Sequence, residues 1–415
     1  MSAPSFGWQV VWAAFTVAVF AWGVGFYGPA VFLHILHEGR GWPLSTVSAA
    51  ITCHFLLSAA LVARLPGIHR RFGLVAATRM GGVLAGAGVV AWALAPAPWL
   101  LFPAALVSGA GWALTSGAAI NAMVAPWFEA KRPAALAMAF NGASVGGVVF
   151  APLWAVLIAE AGFPLAALLV GSAMAAALWW IAGAWLGRTP AMLGLRPDGV
   201  AAAAMPGGPV VVAERAALAA GSGVWRDRRF VTLSLAFSLG LFAQIGLIAH
   251  LFSLMVPALG PAGAGAAVSL TTLAAVAGRS LLGWLLPAGA DRRVAAAGNF
   301  AVQIAGCLLL LLASGSLVPL LLLGCVLFGL GVGNMISIPP LIAQTEFGRA
   351  DAMRVVALVT AVNQAVFAFA PGFLGVVREA AGWDGAPIAL AACVQCAAIL
   401  AVLAGYSPQR PGGRG

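Results

Sequence analysis

Residues 317–343 read LVPLLLLGCVLFGLGVGNMISIPPLIA and contain no Asp, Glu, Lys or Arg. An α-helix needs about 20 predominantly apolar residues to cross a bilayer, so this stretch predicts a transmembrane helix. The whole chain has a similar character: 62% of its 415 residues are hydrophobic and 8% are charged. Because soluble chains are about 25% charged and cannot bury this much apolar surface, the composition indicates an integral membrane protein.

Further apolar runs of comparable length fill most of the chain, separated by short polar segments. Each predicts one crossing, since a helix satisfies all of its backbone hydrogen bonds internally in lipid. We therefore predict an all-α integral membrane protein with twelve transmembrane helices. The predicted spans are 8–35, 44–64, 76–95, 99–124, 133–158, 164–187, 229–257, 264–286, 294–314, 317–343, 354–377 and 386–406.

A polar segment at residues 188–228 separates the first six spans from the last six. Its ends carry arginines and its middle is rich in Gly, Pro and Ala, which is typical of a solvated linker. We expect an N-terminal six-helix bundle at residues 8–187, this cytoplasmic linker, and a C-terminal six-helix bundle at residues 229–406.

The net charge of +10 follows the loops rather than one continuous surface. Most of the 21 basic residues fall in alternate loops, in the linker or near the C-terminus, so they act as topology signals and predict no nucleic-acid partner. The positive-inside rule then predicts that the N-terminus and the C-terminus are both cytoplasmic. Since Lys131 is the single lysine, the composition is typical of a GC-rich bacterial genome. We expect a multi-pass protein of a bacterial inner (plasma) membrane.

The two sets of spans repeat each other at a nearly constant offset. The segment GIHRR at 67–71 has the counterpart GADRR at 289–293, 222 residues later. A consistent offset indicates duplication, and two repeated six-helix bundles place a substrate site between them near mid-membrane. Further matched pairs at offsets of 219 or 220 are Gly109 with Gly329, Phe128 with Phe347, and Pro152 with Pro371.

Several motifs carry a resemblance to a known family: Gly41-Trp42-Pro43, Trp127-Phe128, Lys131-Arg132-Pro133, Gly142-Ala-Ser-Val-Gly146-Gly147, and Gly278-Arg279 with Gly283-Trp284. The chain resembles the major facilitator superfamily over nearly its whole length. Within that superfamily it is most similar to the monocarboxylate porters and oxalate/formate exchangers. The resemblance implies the major facilitator fold, a monomer, and a transporter rather than an enzyme.

Arg279 is the main candidate for contact with a substrate. It is the basic residue deepest in a predicted span, whereas the acidic residues fall in loops or at span ends. A charged side chain near mid-bilayer costs about 2.5–3.5 kcal/mol on insertion scales. A substrate carboxylate would satisfy the guanidinium with paired hydrogen bonds. The alternative is an arginine bonded to backbone carbonyls or reaching the cytoplasmic edge.

Other polar residues in the spans are candidates for the same site. The Tyr27 hydroxyl is a possible donor to an anion, and amides in lipid either line a cavity or join helices. The further substrate-binding candidates are Tyr27, His54, Gln244, Asn334, Asn363 and Gln364. Because histidine titrates near neutral pH, the candidates for proton coupling are His54, His250 and His34. The alternative for His54 is a neutral imidazole hydrogen-bonded to a neighbour, and His34 and His250 read as part of a gate or as interfacial polar residues.

Charged residues at the cytoplasmic ends of the spans predict a conformational latch. The latch residues are Arg70, Arg71, Asp291, Arg292 and Arg293, with Glu129 and Glu346 as further possible partners. Ion pairs among them would hold one state of the transporter and break in the other. The alternative is that these residues serve as topology signals alone.

We expect a secondary active transporter of a small organic anion, a mono- or dicarboxylate, that works by alternating access through exchange or proton coupling. An exporter of neutral amphipathic compounds is the alternative within the same class. A membrane sensor or an enzyme on a transporter-like scaffold is the alternative of another class, although the spans show no catalytic constellation. No cofactor, metal or catalytic residue is predicted; the partners are the substrate and the lipid bilayer.

Overall fold

The computed structural model describes residues 3–129, 131–199, 223–285, 290–313, 317–347 and 349–405. Part of the predicted linker, 200–222, lies outside these residues, as do the predicted span ends at 286, 314 and 406. The longer helices are α1 Ala3–Phe20, α2 Gly28–Arg40, α3 Leu44–Val62, α4 Leu65–Leu94, α5 Leu101–Thr115, α6 Gly117–Val124, α7 Arg132–Trp185, α8 Arg228–Leu285, α9 Arg292–Leu312, α10 Val318–Val332, α11 Asn334–Glu346, α12 Arg349–Phe367, α13 Ala370–Ala381 and α14 Ala386–Ala404.

Within the described residues, ten helical segments are long and apolar enough to cross a membrane. Two of them, Ala134–Trp185 and Arg228–Leu282, have 52 and 55 residues, more than twice what one crossing needs. Each contains a break, at Gly162 with φ 76° and at Gly260 with φ 68°. Counting each long segment as two crossings gives the twelve spans predicted from the sequence.

Glycines with positive φ recur at the spacing of the sequence repeat. Gly41 and Gly260 lie 219 positions apart, with φ of 64° and 68°, and Gly162 and Gly382 lie 220 apart, with φ of 76° and 58°. All four reverse the chain between two spans, where a side chain would strain this backbone conformation. We call the two predicted bundles, residues 8–187 and 229–406, the N-terminal and C-terminal halves; these paired turns are built alike.

The first span is interrupted by one turn of π-helix at Ala21–Phe26, between α1 and α2. The Tyr27 N–H donates to the carbonyl of Trp22, five residues earlier, at 2.9 Å. Pro29 has no N–H, so the carbonyl of Gly25, four residues earlier, lacks its α-helical donor. Such π turns are often found at functional sites. Tyr27 follows directly after the turn, so its side chain projects from a locally widened helix.

The membrane faces differ in charge, and we call the face with most loop arginines the arginine-rich side. At the beginning of the linker, the Asp198 carboxylate accepts hydrogen bonds from the backbone N–H groups of Glu129 and Lys131, each at 3.2 Å.

On the opposite side, the two halves touch through α3 and α13 and through α2 and α8. His34 packs against the Phe252 ring there, with centroids 5.7 Å apart.

Candidate substrate site

Arg279 lies in α8 and reaches across to the N-terminal half. Its Nη2 donates a hydrogen bond to Ser144 Oγ on α7 at 2.8 Å. Gly333 leaves room for the arginine, since a Cβ there would lie 2.9 Å from Arg279 Cγ and Nε. The side chain is half-buried, and among the described residues no carboxylate forms an ion pair with it. One positive charge therefore lies at the junction of the halves without a described counter-charge.

Tyr27 lies at the same junction. Its side chain lies close to that of Thr272 and is within electrostatic range of Arg279. Gly147 on α7 permits this approach, since a Cβ there would lie 2.6 Å from Tyr27 Cζ and 2.8 Å from Thr272 Cγ2. The structure thus brings Tyr27 and Arg279 together with two residues that the sequence analysis did not single out, Ser144 and Thr272. Ser144 lies in the glycine-rich motif 142–147, whose small residues are the signal for close helix contact.

His54 lies inside the N-terminal half. Its Nδ1 is 2.9 Å from Ser108 Oγ, and the Trp92 indole N–H donates to the same hydroxyl at 3.2 Å. The imidazole is 1% exposed and also packs edge-on against the Phe55 ring, with centroids 5.0 Å apart. These contacts hold α3 against α4 and α5, and none of them joins His54 to Arg279. A role for His54 in substrate or proton binding stays a prediction.

The other two histidines lie toward the opposite side of the membrane. His250 is fully buried, and its Nε2 is 3.0 Å from the carbonyl of Pro371 at the beginning of α13. His34 is partly buried beside the Phe252 ring, with Glu38 and Arg378 in electrostatic range. Both residues therefore lie near the contact between the halves on that side rather than beside Arg279.

Two of the predicted amides join helices of the C-terminal half. Ser238 Oγ donates to Asn363 Oδ1 at 2.9 Å, and Asn334 Nδ2 donates to Asn299 Oδ1 at 2.9 Å. Asn334 directly follows Gly333, the residue against which Arg279 packs. It is therefore adjacent to the site, whereas Asn363 is tied to α8 through Ser238.

The two remaining predicted amides differ in exposure. Gln244 is buried and Gln364 is half-buried. The part of the chain that the structure describes holds no group of three His, Cys, Asp or Glu side chains placed to bind a metal ion.

The latch residues occupy different settings at the arginine-rich side. Arg293 forms an ion pair with Glu346, Nε to Oε1 2.6 Å, and its side chain is 2% exposed. It also donates to the carbonyl of Val402 at 3.0 Å. Asp291 accepts from the N–H groups of Arg293 and Val294 and so caps α9. These contacts lie within the C-terminal half. Arg70 and Arg71 are exposed, and Arg292 is half-buried.

Equivalent corners of the two halves are held by different chemistry. In the N-terminal half the Trp8 ring packs edge-on against Phe128, with centroids 5.2 Å apart. In the C-terminal half the Arg229 guanidinium lies over the Phe347 ring, 4.8 Å from its centroid. Trp8 and Arg229 are 221 positions apart, which matches the repeat. The duplicated corner is therefore aromatic in one half and charged in the other.

Two hydrogen bonds on the opposite side join the halves as reciprocal helix caps. The first N–H groups of a helix lack partners within the helix. The Gly372 N–H at the beginning of α13 donates to Thr52 Oγ1 at 2.9 Å, and the Ser45 N–H at the beginning of α3 donates to Glu379 Oε2 at 2.7 Å. We call these the reciprocal caps. The sequence analysis missed them; the helix-starting prolines 43 and 371 were the available signal.

Comparison with known proteins agrees with this architecture. The solved crystal structure of a mutant of the nucleoside transporter NupG superposes with a TM-score of 0.73 and 11% identity, covering 97% of this chain and 100% of that one. A second crystal structure of NupG superposes equally well, with 98% of each chain covered. At this identity the likeness concerns the fold alone.

No curated protein matches the chain in sequence. The sequence profile of the Major Facilitator Superfamily matches residues 13–371, which is most of the chain and extends across both halves. Together with the helical architecture, this match shows that the chain is a multi-pass membrane transporter rather than an enzyme, and that it belongs to the major facilitator superfamily.

Proposed function

We propose that this transporter carries a small organic anion, with Arg279 as the group that binds its carboxylate. The observation that carries the proposal is the guanidinium at the junction of the halves, which has Ser144 Oγ as a hydrogen-bond partner and no ion pair to a described carboxylate. A carboxylate there would accept the remaining guanidinium donors and offset the cost of a charge at this depth.

Ligand access follows from the contacts between the halves. The reciprocal caps close the opposite side, and Ser269 Oγ on α8 donates to the carbonyl of Val148 on α7 at 2.7 Å. We propose that this state opens toward the arginine-rich side and that this side is cytoplasmic, as the positive-inside rule predicts. Rocking of one half against the other would then expose the site to the other face.

The similarity to monocarboxylate porters and oxalate/formate exchangers supports a carboxylate as the substrate. We propose exchange rather than proton symport, because the described contacts of His54 lie within the N-terminal half and none of them joins it to Arg279. In reconstituted vesicles, exchange predicts uptake that requires the anion inside and generates no proton flux. Uptake into empty vesicles driven by a pH gradient would favour symport instead.

The direct test is thermal stability of the detergent-purified protein with a panel of carboxylates. A ligand at about 100 times its Kd adds roughly 2.7 kcal/mol to the stability of the bound state. We expect carboxylates to stabilise the wild type and Arg64→Ala, and not Arg279→Ala. Arg64 is an exposed arginine just after α3 and serves as the matched control. Equal stabilisation of Arg279→Ala by carboxylates would show that the guanidinium does not bind the substrate.

A second candidate function is transport of a neutral amphipathic compound. Aromatic rings beside Tyr27 favour it, since the Phe26 ring packs against that of Tyr27 with centroids 5.1 Å apart. The solved structures with this fold include a nucleoside transporter, so uridine belongs in the panel as a neutral aromatic compound. Stabilisation by uridine that persists in Arg279→Ala would favour this second function.

A further inference from the structure

Six aromatic rings form a continuous cluster that reaches Tyr27 through Phe26. Trp22 packs against Trp112 at 4.9 Å and against Phe140 at 6.2 Å between centroids. Phe26 is stacked on Trp112 at 6.2 Å, with 28° between the planes. We call these rings, with the two added below, the ring cluster: Trp22, Phe26, Phe55, Trp112, Phe140 and Phe367.

The ring cluster extends from the N-terminal half to the C-terminal half. Phe55 on α3 meets Phe26 at 6.1 Å and Phe367 on α12 at 6.2 Å, and Phe367 belongs to the C-terminal half. Trp22, Phe26, Phe140 and Phe367 are half-buried, whereas Phe55 is buried. The half-buried rings come from the first, fifth and eleventh spans and converge on one region. A ligand between the halves would therefore contact ring surface.

Tyr27 connects the ring cluster to the guanidinium of Arg279. The Phe26 ring is 5.1 Å from that of Tyr27, whose side chain lies close to Thr272 and within electrostatic range of Arg279. The site thus has a cationic end, largely from the C-terminal half, and an aromatic end, largely from the N-terminal half. A ligand that fits both ends has one anionic group and a flat apolar body.

We propose that the substrate is an aromatic monocarboxylate, with its carboxylate on Arg279 and its ring in the ring cluster. This inference rests on the proposed function and narrows it. Aromatic rings prefer edge-on or offset-stacked partners, which the ring cluster supplies. A second carboxylate would be pressed against rings, where the described residues provide no cation for it, and burial of an unpaired charge is strongly unfavourable. The same site therefore selects against dicarboxylates.

The test measures Kd by calorimetry for phenylacetate, acetate, terephthalate, benzyl alcohol and uridine on the purified full chain. We expect phenylacetate to bind most tightly. Trp22→Leu keeps an apolar side chain and should raise the Kd for phenylacetate roughly tenfold, with acetate unchanged. Phe140→Leu gives an independent variant of the same cluster. Trp180→Leu is the matched control, because Trp180 is 66% exposed and lies on α7 away from the ring cluster.

The outcomes separate the inference from the proposed function. If acetate binds as tightly as phenylacetate, or if both ring variants leave the Kd for phenylacetate unchanged, the aromatic assignment is overturned while the anion function stands. Terephthalate binding as tight as phenylacetate binding would overturn the selection against dicarboxylates. If benzyl alcohol or uridine binds as tightly as phenylacetate and does so equally in Arg279→Ala, the anion function itself fails. Absence of phenylacetate binding to the wild type overturns the inference.

Discussion

Thr52 Oγ1 accepts a hydrogen bond from the backbone N–H of Gly372 at 2.9 Å, and the two residues belong to different halves. In the partner bond the donor and acceptor halves are exchanged: the backbone N–H belongs to Ser45 of the N-terminal half and the acceptor is Glu379 Oε2 of the C-terminal half. Each half therefore caps a helix of the other. When the halves separate on this side, both helix ends lose their caps together, so the reciprocal caps stabilise the closed state in particular.

Thr52→Val should shift the protein toward the state that is open on the opposite side. Removal of a side-chain cap costs about 0.5–2 kcal/mol, so the closed state should lose roughly 2- to 30-fold in population relative to the open one. Spin labels at residues 39 and 383, one in each half and both exposed, report the opening as a longer distance. Thr52→Ser keeps the hydroxyl and should behave as the wild type. An unchanged distance distribution in Thr52→Val would show that this cap does not stabilise the closed state.

Glu379→Gln tests the charge in the second cap. Glutamine still accepts a hydrogen bond from Ser45, but loses the negative charge that is favourable by about 0.3–1 kcal/mol at a helix N-terminus. We expect a smaller opening than in Thr52→Val, measured with the same labels. Asp384→Asn is the control, because Asp384 pairs with Arg378 within the C-terminal half. If Asp384→Asn lengthens the distance between the labels as much as Glu379→Gln does, the charge of Glu379 has no specific part in stabilising the closed state.

Gly147→Ala should impair ligand binding without unfolding the protein. The new Cβ would lie 2.6 Å from Tyr27 Cζ, so the ring must move away from Thr272 and Arg279. The carboxylate-dependent rise in melting temperature should shrink or vanish. Gly298→Ala is a matched helical control, since nothing lies within 4 Å of a Cβ at that position. Normal ligand stabilisation of Gly147→Ala would show that Tyr27 placement is not needed for binding.

Arg293→Ala should destabilise the C-terminal half. It leaves Glu346 without its ion-pair partner, and breaking a buried pair from one side costs about 3–5 kcal/mol. We expect a clearly lower melting temperature. The double change Arg293→Met with Glu346→Leu removes both charges and should lose less stability than Arg293→Ala. Equal losses would mean that the ion pair contributes little beyond the packing of the arginine stem.

The sequence predicted the spans well where apolar runs end at charged or turn residues. The predicted spans 44–64 and 386–406 correspond to Leu44–Val62 and Ala386–Ala404. The first span, predicted as one run at 8–35, contains the π turn at Ala21–Phe26. Hydropathy does not reveal such a turn, because it arises from the hydrogen-bond needs of single carbonyls and from packing against neighbouring helices.

The sequence singled out Arg279 and Tyr27 as candidate site residues because charge and phenol are rare in the spans. The two side chains lie within electrostatic range of each other, and their role in substrate binding stays a prediction. Their partners Ser144 and Thr272 were not singled out, since small hydroxyl residues are common in membrane helices and their partners depend on how each helix is rotated. For the same reason, the sequence did not reveal that His54 faces Ser108.

Because the equivalent corners of the two halves are held by different chemistry, they differ in what loosens them. Salt screens the exposed charge of Arg229, which pairs with Asp227 and lies over the Phe347 ring, whereas the Trp8 and Phe128 rings make an uncharged contact. High salt should therefore loosen the C-terminal corner first, while the N-terminal corner keeps its packing. Two copies that began as the same peptide have thereby acquired an order in which they come apart.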